Sequence, residues 1–165
     1  MILKTIYFHG LESKSGGPKV DWLKKVGFDV LAPNMNYQDP SMFTRASEMV
    51  TNHTPHFLIG SSMGGWFAWN LGKIFKIPVL LFNPAILAPT LIDINFDKVP
   101  IFLILGKNDD VIDPEKTYRF LENLEGENFK KENVMWEEHG HRTPELVFQK
   151  GVNFFIKTTN LNHLR

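Results

Sequence analysis

There is no cysteine in this chain of 165 residues. That excludes disulfides, a thiol nucleophile and any zinc site built on thiolates. Neither sign of charge is in excess: 18 Lys and Arg stand against 18 Asp and Glu. Without a broad attractive field, neither nucleic acid nor an acidic membrane surface is expected as a main partner. No apolar run approaches the ~18 residues needed to cross a bilayer. Met1 to Phe8 is too short for the core of a signal peptide. The expectation is one soluble, cytoplasmic domain over residues 1–165, and no oligomeric state follows from the sequence.

What is present is material for a core: 43% of residues are hydrophobic and 13% aromatic. Short apolar runs alternate with longer amphipathic ones. Ile2–Phe8, Phe28–Leu31, His56–Ile59, Val79–Phe82, Ile101–Leu105 and Val134–Glu137 read as strands. Pro18–Val26, Ser41–Val50 (with Ser41 as N-cap), Gly64–Lys76, Pro114–Leu124 and Thr143–Lys157 read as helices. This order predicts an α/β fold of about six mostly parallel strands with helices on both faces. Ligands of such sheets bind beyond the carboxyl ends of the strands.

One strand-to-helix junction reads Gly60-Ser61-Ser62-Met63-Gly64-Gly65, a G-x-S-x-G centred on Ser62. The chain must turn sharply there, with Ser62 strained at the tip and Gly60 and Gly64 too crowded for side chains. The bland reading is a glycine-rich turn. The predicted flanking strand and helix favour a nucleophile, with Ser61 a rival that lacks the symmetric glycines.

A serine hydroxyl needs a base. His141, in Glu138-His139-Gly140-His141, follows the last strand on the same sheet edge. His139 reads as a solvated loop residue, His53, His56 and His163 as surface residues, and His9 as loop support. No Asp or His completes a metal-ligand spacing around His139 and His141, so no metal is expected. The orienting carboxylate comes from the segment after the fifth strand. Position favours Asp109 over Asp110, and Asp113 before Pro114 reads as a helix N-cap. Ser62, Asp109, His141 is the chain order of a minimal α/β-hydrolase fold. Met63 N–H and Leu11 N–H, the latter beside Gly10, are the expected oxyanion donors.

These segments also resemble a family. Phe8-His9-Gly10-Leu11-Glu12-Ser13, Gly60-Ser61-Ser62-Met63-Gly64-Gly65, Asn83-Pro84-Ala85, Asn108 to Asp113 and Glu138 to His141 are similar to the motifs of small YqiA-like esterases of the α/β-hydrolase superfamily. The resemblance runs from Tyr7 to about Phe155. It implies a cofactor-free serine esterase or thioesterase with little or no lid, Asp109 as the acid and His141 as the base. Arg142-Thr143 and His139 depart from the family pattern, and these departures bear on substrate choice.

The expected chemistry is acyl transfer to water from a small-molecule ester or thioester. Tyr37, Met42, Phe43 and Ile86, with Leu87 and Leu91, are expected near an acyl chain; the bland alternative is that they cover the core. Lys14, Lys19 and Arg142 read either as solvated surface or as contacts for an anionic leaving group such as coenzyme A. Gly10 to Gly17 fits no nucleotide-binding loop. The alternatives are a non-catalytic binding protein on the same scaffold, or a triad peptidase or cofactor-free haloperoxidase.

Overall fold

The computed structural model describes residues 1–86, 99–126 and 129–161. Leu87, Leu91 and His163 lie outside the described residues. Within them, six strands form one sheet in the order β2-β1-β3-β4-β5-β6, and every neighbouring pair is parallel. The strands are β1 (Lys4–Phe8), β2 (Asp29–Leu31), β3 (Phe57–Ser61), β4 (Val79–Phe82), β5 (Ile101–Gly106) and β6 (Val134–Glu137). The helices are α1 (Pro18–Lys25), α2 (Met42–His53), α3 (Met63–Phe75), α4 (Pro114–Glu125) and α5 (Glu145–Thr158).

The side-chain alternation of a strand divides the core into two layers. Ile6, Phe8, Leu58, Leu81, Leu103 and Leu105 pack with residues of α2, α3 and α4. Tyr7, Ile59, Leu80, Phe82, Phe102 and Ile104 face the other way and pack with α1 and α5. Because both faces are covered, β4 and β5 are buried along their whole length, which is why they read as unbroken apolar runs.

The helix ends differ in how they are held. Asp113 caps α4, accepting the Lys116 N–H at 3.0 Å, with Pro114 following it. Ser41 occupies the N-cap position of α2 but caps nothing: its hydroxyl donates to Asp39 Oδ1 at 2.7 Å. Its helical φ of −83° and ψ of −4° turn the side chain away from the exposed N–H groups. A parallel sheet places every strand's carboxyl end on one edge, so the segments after β1, β3, β4, β5 and β6 meet there.

Candidate active site

The turn from β3 to α3 is set by backbone crowding. Ser62 has φ 53° and ψ −120°, a conformation that costs roughly 1–3 kcal/mol for a residue with a side chain. A Cβ on Gly64 would lie 2.0 Å from the Phe8 carbonyl oxygen, and one on Gly60 2.3 Å from that of Gly64. Neither position admits even alanine without backbone movement. The turn is further tied to β4: Ser62 N–H donates to Phe82 O at 3.0 Å, and Ala85 N–H donates to Ser62 O at 2.9 Å.

Ser62 Oγ lies 2.9 Å from His141 Nε2. His141 Nδ1 in turn lies 2.9 Å from Asp109 Oδ2 and 3.1 Å from Oδ1. The Asp109 carboxylate is itself fixed, since Oδ1 accepts the N–H groups of Val111 and Ile112, each at 2.9 Å. Its side chain is 1% exposed, whereas that of His141 is 21% exposed. Asp110 is exposed. The structure thus brings Ser62, His141 and Asp109 into one hydrogen-bonded chain.

The loops bearing Asp109 and His141 are joined to each other. Lys107 N–H donates to Glu137 O at 2.9 Å and Asn108 N–H to His139 O at 3.1 Å. Lys107 Nζ meets Glu138 Oε1 at 2.6 Å, a contact that lowers the Glu138 carboxyl below its ordinary range. Asn83 ties both loops to β4. Its Nδ2 donates to Gly140 O at 3.2 Å and His141 O at 2.9 Å, and its Oδ1 accepts Gly106 N–H at 2.7 Å. Asn83 is 1% exposed and has φ 41°, a backbone that asparagine tolerates better than most residues. Sequence reasoning took Asn83 only as part of a resemblance. An asparagine before a proline at a buried strand's end was the available signal.

The expected oxyanion donors lie beside this chain. Met63 is the first residue of α3, where backbone N–H groups lack partners inside the helix. Gly10 sits against Ser62, since a Cβ there would be 3.3 Å from Ser62 Cβ. Leu11 follows it, with its side chain out in solvent.

The cavity lies elsewhere than the sequence suggests. About 740 Å³ opens beside Ser62 and His141, walled by Tyr7, Gly10, the segment from Leu11 to Lys19, and residues Arg142 to Glu145. Of the five residues expected around substrate, only Gly10 lines it. Met42 and Ile86 are buried in the layer under α2 and α3, and Tyr37 and Phe43 pack against that layer. Tyr37 and Phe43 stack on Phe67, with ring centroids 5.3 and 5.5 Å apart. These apolar side chains are consumed in covering one face of the sheet, and the cavity opens on the face of α1 and α5.

Three of the remaining histidines differ from expectation. His139 is buried, with Nδ1 2.6 Å from Gly140 O, because its loop folds back over the end of β5. His53 and His56 are half-buried, and His56 Nδ1 accepts the Lys4 N–H at 2.9 Å. His9 does support its loop: it is buried, and its Nε2 accepts Met35 N–H at 2.9 Å. No group of three or more His, Asp or Glu among the described residues could hold a metal ion.

The model of an uncharacterised protein family, UPF0227, matches residues 4–99. The chain belongs to UPF0227. No curated protein matches it. Solved structures similar to this UPF0227 member include a protein assigned to the α/β hydrolase superfamily from Xanthomonas campestris pv. campestris. That protein is 20% identical, with 96% of this chain and 98% of the other covered and a TM-score of 0.72. MGS-MChE2, an α/β hydrolase enzyme from the metagenome of lagoon sediments at Mar Chica, Morocco, is 19% identical, with 97% and 93% covered and a TM-score of 0.71. A structure from work on LipS and LipT, two metagenome-derived lipolytic enzymes, is 16% identical, with 94% of each chain covered and a TM-score of 0.63. At these identities the likeness is one of fold, and the fold is that of the α/β hydrolases. No helix among the described residues is long and apolar enough to cross a membrane.

Proposed function

We propose that this UPF0227 member is a serine hydrolase acting on carboxylic esters or thioesters of small molecules, cofactor-free and cytoplasmic. The observation that carries the reading is the hydrogen-bonded chain from Ser62 Oγ to His141 to Asp109, with a strained serine at its head. Hydrolase-fold relatives that include lipolytic enzymes support it.

In this reading Ser62 Oγ attacks the acyl carbon and His141 Nε2 takes the hydroxyl proton. The Oγ–carbon bond forms and the bond to the alcohol or thiol breaks, with the leaving group departing with the proton from His141. Water repeats the sequence: His141 accepts its proton, its oxygen bonds the acyl carbon, and the proton returns to Ser62 as the acid leaves. Asp109 holds the imidazole in the tautomer that presents an unprotonated Nε2 to the serine. The N–H groups of Met63 and Leu11 receive the oxyanion; loss of one such donor costs roughly 3 kcal/mol of barrier.

The test is labelling by a fluorophosphonate together with a panel of acyl esters. Wild type is expected to be labelled at Ser62 and to hydrolyse at least one ester. Ser62→Ala is expected to do neither. Equal, slow turnover by both proteins across the panel overturns the assignment.

A further inference from the structure

The cavity beside Ser62 is not walled as a slot for a long acyl chain. Three cations line it, Lys14, Lys19 and Arg142, against two carboxylates, Glu12 and Glu145. Arg142 and Glu12 lie 3.9 Å apart with side chains 89% and 85% exposed, an arrangement that contributes little. Lys14 is likewise exposed.

Lys19 differs from both. It is half-buried at the start of α1, and its Nζ stands 5.6 Å from the centroid of the Phe148 ring. Among the described residues no carboxylate comes within the 4.0 Å of an ion pair with it. Burial lowers its pKa from the ordinary lysine value, and Glu145 opposes that shift from a distance. A cation already stripped of part of its water, facing a cavity, gains more from an incoming anion than a solvated one does. The first turn of α1 lines the same wall and carries no side-chain cap, but it holds Asp21, whose charge offsets the helix dipole there, so the positive potential of the wall falls to Lys19.

We propose that this cavity selects esters or thioesters that carry an anionic group, and that Lys19 is the side chain that reads it. The inference rests on the reading of Ser62 as nucleophile and names the substrate class of that site. The anion can sit on the acyl part or on the leaving group, and the test separates the two.

Two matched pairs serve as probes. Mono-4-nitrophenyl succinate against 4-nitrophenyl butyrate places a carboxylate on the acyl side. Butyryl-coenzyme A against the S-butyryl thioester of N-acetylcysteamine places phosphates on the leaving side. In at least one pair, wild type is expected to show a kcat/KM at least about tenfold higher for the anionic member. Lys19→Met is expected to reduce that ratio by roughly 10- to 100-fold, while Lys19→Arg keeps most of it. Glu145→Gln, which removes the carboxylate whose field acts on Lys19, is expected to raise the ratio. Thermal melts establish that each variant is folded. Equal kcat/KM within both pairs overturns the proposal while leaving the nucleophile intact, and so does a Lys19→Met variant with an unchanged ratio. Hydrolysis of none of the four probes by a wild type that fluorophosphonate still labels at Ser62 overturns this proposal and leaves the nucleophile standing; loss of the labelling as well removes the esterase reading.

Discussion

The side-chain amide of Asn83 donates to the main-chain carbonyl of His141 across 2.9 Å, from a residue 58 positions earlier in the chain. The same amide group reaches Gly140 and Gly106, so one side chain at the end of β4 sets the height of the loop that carries His141, the proposed base. We expect Asn83→Ala to take their Asn83 partner from the buried Gly106 N–H and the part-buried His141 carbonyl, while Gly140 O keeps His139 Nδ1, at a cost of about 2–4 kcal/mol. If the residue positions His141, kcat falls by roughly 10- to 100-fold with little change in KM. A purely structural role predicts a lower melting temperature and unaltered kcat in the fraction that remains folded.

The acid is distinguished from its neighbour by what holds it. Asp109 accepts two backbone N–H groups and faces His141, whereas Asp110 is exposed. Asp109→Asn is expected to lower kcat by about 10³- to 10⁴-fold by favouring the wrong imidazole tautomer. Asp110→Asn is expected to stay within about twofold of wild type. Steady-state kinetics on any accepted ester decides between them, and the reverse order of effects would move the acid to Asp110.

A second buried ion pair has no part in the chemistry. Lys73 of α3 meets Glu125 of α4, with side chains 7% and 9% exposed, and Lys73 Nζ also stands 4.9 Å from the centroid of the Trp69 ring. Lys73→Met strands the carboxylate of Glu125 and is expected to cost about 3–5 kcal/mol. The double variant Lys73→Met with Glu125→Leu is expected to recover most of that loss. Urea denaturation of the three proteins measures both terms.

Alkali is expected to weaken the fold through Tyr7. Burial pushes its hydroxyl from the ordinary 10.0 up to about 12, against a hydrogen bond to Ser61 that acts the other way. Tyr37 is raised too, by burial first and then by Tyr7. Between pH 10 and 12 the unfolded chain has lost the Tyr7 proton that the folded chain retains, so stability falls as pH rises. The contribution of Tyr7 is on the order of 2–3 kcal/mol and is complete below pH 10. Tyr7→Phe is expected to flatten the decline of the urea midpoint across this window, and an identical slope in the two proteins would contradict it.

The elbow was legible in the sequence because its glycines answer a steric demand that belongs to the backbone. Gly64 has no room beside Phe8 O whatever the surrounding side chains are. Chain order then assigned one loop each to Asp109 and His141. Choosing between two adjacent carboxylates needed the local turn in which Asp109 accepts the Val111 and Ile112 N–H groups, and spacing does not encode that turn. Met42 and Ile86 were expected near substrate because such residues look the same whether they cover a helix or line a cavity. Only the division of the core into two layers shows that α3 needs them. The actual wall, Leu11 to Lys19, is polar and glycine-containing, and such a segment reads as ordinary surface. His139 looked solvated because nothing in Glu138-His139-Gly140-His141 tells which of two histidines turns inward.

The order of the sheet separates the two ends of the proton path. The serine follows β3, which lies between β1 and β4, while His141 follows β6, which among the described residues is an edge strand paired to β5 alone and half-buried throughout. Edge strands fray before interior ones. Warming is therefore expected to detach the imidazole while the alcohol keeps its place, giving a reversible loss of turnover below the temperature at which the domain melts. On the proposed reading, the temperature limit of turnover is fixed by its weakest margin and not by its core.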